Sequence, residues 1–174
     1  KNQKIVFYYD EDFIIDIVKK NIQTENFIAK KISIYNLPTF QISENYLQSC
    51  INLNIDSLIK INSINEKGIF HYKRDHINSS PVCYRKLFTI WSSKLFLIEQ
   101  TFKENLFDSD YFAWSDISIS RFKEKRKNWN FMKQIYSNNY IYHFDSVMRY
   151  YGKKLDLNAS FLFGAKNVWI EFIR

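Results

Sequence analysis

The chain has 174 residues, of which 46% are apolar and 18% aromatic, and it carries a formal charge of +7. That is ample surface for one domain with a real core and too little chain for two comfortable ones, so a largely disordered protein is excluded. Only three glycines and two prolines are present. With no G-x-G-x-x-G and no G-x-x-x-x-G-K-[ST] run, a glycine-rich phosphate cradle is disfavoured.

The positive charge suits anionic partners such as nucleic acid, anionic lipid or a phosphorylated small molecule. Part of it reflects a Lys-, Asn-, Ile-, Phe- and Tyr-rich composition of the kind that AT-rich coding produces in any protein. Cys50 and Cys83 are the only cysteines. Their separation gives no zinc spacing and no disulfide framework, so reduced, buried thiols in a reducing compartment are expected. There is no signal-peptide pattern and no run of 18 apolar residues, and nothing is expected to span a membrane. The chain opens on Lys1 and stops at Arg174 directly after "NVWIEFI". The expectation is a single domain over residues 1–174, trimmed from something longer.

In chain order, "KIVFYY" (4–9) predicts a buried strand, and Asp10 can cap a helix running to about Asn21 with Phe13, Ile14, Ile17 and Val18 on one side. "AKKISIY" (29–35) predicts a second strand, and Ser43 can cap a helix striped with Leu47, Cys50, Ile51, Ile55 and Leu58. Two strand–helix units in series predict a parallel sheet with helical cover. Residues 65–80 read as a polar loop. Ser80 and Pro81 then mark a helix start, followed by a stripe of Leu87, Trp91, Leu95, Ile98, Phe102 and Leu106. Arg85 and Lys86, in its early turns, oppose the dipole; they present themselves either to an anion or to solvent. "YFAW" (111–114) predicts a strand buried on both faces, and "YIYHF" (140–144) and "ASFLFGA" (159–165) predict later strands.

In an open α/β sheet, ligands collect beyond the carboxyl ends of the strands. Asp116 sits at such an end, where it can ligate Mg²⁺ or Mn²⁺, accept from a sugar hydroxyl, or simply cap a turn. "DSD" at 108–110 is a second carboxylate pair with a plain turn as its simplest explanation. His143 and Asp145 point the same way on strand alternation, as an oriented base or as a structural pair. His71 and His76 define no metal site. Residues 121–133 carry Arg121, Lys123, Lys125, Arg126, Lys127 and Lys133 around Glu124, with Trp129 and Phe131 between them. They suit a nucleotide diphosphate, an anionic lipid surface or nucleic acid, or form a solvated face; the abundance of aromatics throughout the chain disfavours nucleic acid.

Residues 80–119 carry Pro81 and Tyr84, Lys94, Asn105 and Phe107, then Trp114 and Asp116. This block resembles the bacterial HtrL/YibB (WlaTC/HtrL) family: a P-x-x-Y helix start, a helical lysine, an N-x-F exit, and an aromatic strand ending in W-[IL]-D-x-G. "SFLFGAKNVWIEF" (160–172), with Gly164 and Trp169, is similar to the family's second block. The resemblance implies a GT-A-like glycosyltransferase fold, a mostly parallel central sheet with helices on both faces, and a nucleotide-sugar donor in lipopolysaccharide, lipooligosaccharide or surface-glycan biosynthesis. It implies a glycan or lipid-linked acceptor and a cytoplasmic location, with peripheral contact at the inner face of the bacterial inner membrane.

It further implies Asp116 as a catalytic residue, and His143, read from strand alternation as an oriented base, is the second catalytic candidate. Lys94, Asp116, Ser118, Arg121 and Gly164 would bind the donor, and Asp116 would hold a Mn²⁺ or Mg²⁺ ion. Where a D-x-D motif would place a second carboxylate, this chain has Ser118. That departure motivates the alternative of a non-catalytic sugar- or lipid-associated binding or assembly protein. A nucleic-acid binder acting through residues 121–133 is the third reading.

Overall fold

The computed structural model describes residues 4–22, 25–52, 81–116, 138–145, 149–150, 153–154 and 156–174. Strand β1 (Ile5–Tyr9) leads through helix α1 (Asp12–Asn21) to β2 (Phe27–Lys31), which pairs with β1 in parallel. The first strand–helix–strand unit therefore forms, although the second strand, expected over 29–35, lies at Phe27–Lys31. After β2 the chain makes a 3₁₀ turn (Ile34–Asn36) and enters α2 (Phe40–Asn52). Helix α3 (Pro81–Glu104) precedes β3 (Tyr111–Ser115), β4 (Tyr142–Asp145), the two-residue strands β5 (Arg149–Tyr150) and β6 (Lys153–Lys154), β7 (Leu157–Ala165) and α4 (Lys166–Ile173).

The expected mostly parallel central sheet with helices on both faces does not form. Among the described residues, β1–β2 is a two-stranded sheet, and β3, β7 and β4 make a separate antiparallel sheet in that order. The physical reason lies in what each strand has to bury. β1 and β2 are only half-buried along their length, whereas central parallel strands are buried on both faces. β3 was expected to be buried on both faces too, but Phe112 is buried while Ala113 and Ser115 are exposed. A strand with one wet face belongs in an antiparallel sheet. β7 supplies the centre instead, with Ser160 to Ala165 buried.

Helix α3 occupies the position the sheet was expected to fill. Its first half packs on α2 through Tyr84, Phe88, Trp91 and Leu47. Its second half covers the antiparallel sheet and α4 in a cluster of Ile98, Phe102, Phe112, Leu162 and Trp169. β1 reaches the same helix, where the Tyr8 hydroxyl bonds with Thr101 Oγ1 at 2.9 Å and donates to Leu97 O at 3.3 Å. Thr89, Ser93 and Lys94 are buried along with the apolar residues, while Leu87, Leu95 and Leu106 are exposed. Of the expected stripe, Ile98 and Phe102 are therefore buried and Trp91 half-buried, while its three leucines lie outside the buried face. The buried hydroxyls are tolerated because Thr89 and Ser93 bond the carbonyls of Arg85 and Thr89 one turn back, at 3.0 and 2.7 Å.

Smaller departures have similar causes. On α1 the buried side chain is Ile15, and Phe13 and Ile17 face solvent; Glu11 rather than Asp10 is the cap residue. Ser43 lies inside α2, donating to Thr39 O at 2.7 Å, because the helix starts one turn earlier than its cap-like serine suggested. Ile55 and Leu58 lie outside the described residues.

Asn105 explains the N-x-F exit from α3. Its φ of 41° is left-handed, a conformation asparagine tolerates better than most residues, and it ends the helix there. Its Oδ1 accepts from Ser109 N at 2.8 Å and its Nδ2 donates to Ser109 O at 3.2 Å. The "DSD" run is consumed by this turn, with Asp108 also left-handed at φ 49°.

Gly164 has a packing role. A Cβ there would meet Ile141 Cδ1 at 2.6 Å and Tyr140 O at 3.2 Å. The isoleucine tip can rotate away but the carbonyl moves only with its backbone. Gly164→Ala is expected to cost about 1–2 kcal/mol, by analogy with overpacked cores, read as a shifted midpoint in urea unfolding.

Candidate functional site

The antiparallel pairing of α3 with β3 sets the site's register. From Lys94 to the end of α3 is about 15 Å at the helical rise, and from Tyr111 to Asp116 about 17 Å along a strand. The tight turn at Asn105–Asp110 folds one length back on the other. Residues 22 apart in sequence therefore arrive side by side.

Lys94 Nζ lies 2.8 Å from Asp116 Oδ1 and donates to Oδ2 at 3.0 Å. It also donates to Ala159 O at 2.9 Å. Trp114, two residues before Asp116 and so on the same strand face, donates from Nε1 to Oδ1 at 2.6 Å. Its ring centroid lies 5.7 Å from Lys94 Nζ, within range of a cation–π contact. The backbone fixes the carboxylate from behind, with Asp116 N donating to Ser160 O at 2.9 Å. The side chains of Lys94 and Asp116 are only 9% and 18% exposed. Water therefore screens the pair poorly, and each charge depends on the other.

The availability of Ala159 O has a structural cause. The β4–β7 register jumps between His143, opposite Leu162, and Phe144, opposite Asn158. This irregularity gives Ala159 no partner residue in β4, and its carbonyl turns to Lys94. The side chain of Asp145, with which His143 is read as a pair, lies outside the described residues. His143 stands across Leu162 from Trp114, two strand spacings or about 10 Å away, and Asp116 lies farther still, two residues along the strand.

Of the residues singled out in the sequence, Lys94 and Asp116 come together directly. Gly164 sits opposite Phe112, four residues up β7 from Ser160, roughly 14 Å away. Ser118, Arg121, His71, His76 and the basic segment 121–133 lie outside the described residues. Trp114 and Ala159 hold the site although neither was read as a site residue. The W-x-D spacing carried the signal for Trp114; an irregularity in strand pairing has none for Ala159.

A carboxylate offers about four lone-pair positions. At Asp116, Lys94 and Trp114 take both positions on Oδ1, and Lys94 takes one on Oδ2. Among the described residues nothing takes the remaining acceptor position, on a side chain that is 18% exposed. A hydroxyl donor fits it. A divalent ion does not, because it would sit beside the Lys94 ammonium: even a single positive charge 4 Å away repels by about 4 kcal/mol at an effective dielectric constant of 20. Among the described residues no group of three His, Cys, Asp or Glu side chains is placed to hold a metal.

The early cations of α3 are also committed. Lys86 Nζ lies 2.7 Å from Glu11 Oε1 and 3.3 Å from Asp10 Oδ2, and Arg85 Nε lies 3.5 Å from Glu44 Oε2. The Glu11 carboxylate first, and then Asp10, raise the Lys86 pKa well above its ordinary value. These residues tie the start of α3 to the end of β1 and to α2, which accounts for basic side chains at an unfavourable end of a helix dipole.

No family model, curated protein or solved structure matches this chain.

Proposed function

We propose that the chain is the donor-handling portion of a glycosyltransferase that takes a nucleotide sugar and serves bacterial surface-glycan synthesis. The observation that carries the reading is the meeting of Lys94 and Asp116 at the end of β3. Both are among the residues the family resemblance marks, and they form a largely buried charged pair with one acceptor position that no described residue takes. The reading rests on this site and on the two sequence blocks, and needs no GT-A sheet.

In this account Asp116 Oδ2 accepts a hydrogen bond from a hydroxyl of the donor sugar or its ribose. Lys94 and Trp114 lock the carboxylate in one rotamer, so the hydroxyl meets a preorganised acceptor. Lys94 is a positioning residue whose donors are already engaged. Charge compensation for the departing diphosphate falls to other cations, for which the sequence offers Arg121. His143, on the far edge of the sheet, is assigned to the acceptor side as a base if the transfer inverts configuration. No helix among the described residues is long and apolar enough to cross a membrane. We assign the activity to the cytoplasmic face of the inner membrane, with a lipid-linked glycan as acceptor.

Calorimetric titration with uridine, guanosine and cytidine diphosphate sugars, with and without Mn²⁺, tests this directly. One nucleotide series should bind, and Asp116→Asn should weaken it at least tenfold, about 1.4 kcal/mol, in protein that circular dichroism shows to be folded. If no series binds the folded chain, or if Asp116→Asn binds as tightly, the assignment is wrong. The three engaged positions on Asp116 also favour a second reading, a non-catalytic sugar- or lipid-associated protein. That reading predicts binding without acceptor-dependent release of nucleoside diphosphate.

A further inference from the structure

A cleft lies at the opposite end of β3 from Asp116, where the strand begins and α4 starts. It is an open cavity of about 460 Å³ lined by Asp110, Tyr111, Asn138, Ala165, Lys166, Asn167 and Ile170. Its size falls in the range of small-ligand sites. Tyr111 and Asp116 are five residues apart, about 17 Å along a strand, so the cleft is too far from the Lys94–Asp116 pair to share its reacting atoms.

We propose that this cleft binds a neutral saccharide unit. Hydroxyl groups both donate and accept, and the lining supplies both kinds of partner in a small space. Asp110 accepts, Lys166 donates, and the carboxamides of Asn138 and Asn167 can do either. The Tyr111 hydroxyl donates to Asn138 Oδ1, which fixes that amide's orientation and leaves its N–H groups as donors. Lys166 N donates to Asp110 O at 2.9 Å, clamping the first turn of α4 onto the start of β3 and giving the cleft a rigid frame.

The apolar side of the lining fits the same ligand. Tyr111 lies nearly parallel to Phe163, with ring centroids 5.8 Å apart, and Phe163 in turn packs on Tyr142 at 6.2 Å. An aromatic ring held by stacking offers a flat apolar surface to the C–H face of a pyranose, and Ile170 extends it. An anion is the poorer fit. Lys166 and the N–H groups at the start of α4 would attract it, but Asp110 would repel it and the donating hydroxyls that Asp110 suits would be missing.

The proposal stands independently of the glycosyltransferase reading, because no residue is shared with the Lys94–Asp116 site. The test is a ¹⁵N-resolved titration of the full chain with methyl glycosides of glucose, galactose and N-acetylglucosamine, and separately with inorganic phosphate. At least one glycoside should shift the backbone amides of Tyr111, Lys166, Asn167 and Ile170 with millimolar affinity and leave the Trp114 indole unmoved. Asn167→Ala and Asp110→Asn, both at exposed positions, should each weaken that response several-fold without changing the unfolding midpoint. No response at these amides, or a response to phosphate in preference to every glycoside, would overturn it. So would shifts that both variants leave unaltered.

Discussion

Lys94→Ala is expected to remove roughly 3 kcal/mol of stability, near the lower end of the 3–5 kcal/mol seen when one partner of a buried ion pair is deleted. The lower end applies because Trp114 still donates to the stranded carboxylate and 18% of the Asp116 side chain reaches solvent. Lys94→Met keeps most of the apolar stem and should lose nearly as much. Most of the loss comes from leaving Asp116 charged and uncompensated, so the double variant Lys94→Met with Asp116→Asn should recover a good part of it. Chemical unfolding of the four proteins checks this as a double-mutant cycle. A coupling of about 2 kcal/mol is expected, and additive single effects would mean that the pair is not the unit described.

Trp169→Ala carries the other large effect. Trp169 is fully buried against Ile98, Phe102, Phe112 and Leu162, and its Nε1 donates to Phe112 O at 3.1 Å. Truncation opens a large cavity where α4 closes over β3 and β7, and should cost about 3–5 kcal/mol, with a fall in Tm on the order of 10 °C. Trp169→Phe separates the two contributions. It keeps most of the packing and forfeits the indole bond, for about 1–2 kcal/mol. The consequence for function is indirect, since β7 provides the Ala159 carbonyl that holds Lys94. A chain loosened at Trp169 should bind any donor less tightly in proportion to its loss of β7 order.

What was legible in the sequence was local. The β1–α1–β2 unit, the helix beginning at Pro81 and the aromatic strand ahead of Asp116 all carry strong periodic or terminal signals, and they form. The arrangement of those elements was not legible. Parallel pairing of β1 with β2 suggested more of the same, yet β3 pairs with β7, a partner about 50 residues later whose nine residues are the longest strand described. Strand partnership depends on which faces remain to be covered once α3 is in place, and hydrophobic spacing does not encode that.

The candidate site divides in the same way. Asp116 was visible as a carboxylate at a strand end, and the helix–turn–strand geometry explains why a lysine 22 residues earlier should find it. Outside the family resemblance nothing in composition or spacing singles out Lys94; its burial makes it the counter-charge. Trp114 was noticed as part of a motif, but its indole bond to the carboxylate follows only from the i,i+2 face of a real strand. Ala159 could not be anticipated, because its role depends on a jump in register. Lys94 also competes with the Mn²⁺ or Mg²⁺ ion expected at Asp116, and spacing along the chain does not reveal which charge reaches the carboxylate.

The most direct measurement is the Trp114 indole N–H resonance during titration of the full chain with nucleotide sugars, assigned among the four indoles by Trp114→Phe. Because that N–H donates to Asp116 Oδ1, a hydroxyl arriving at Oδ2 must change it. The account predicts a saturable shift of this resonance with one diphosphate-sugar series, with or without Mn²⁺, that disappears in Asp116→Asn. A nucleotide sugar that binds while the Trp114 indole stays unchanged would contradict it.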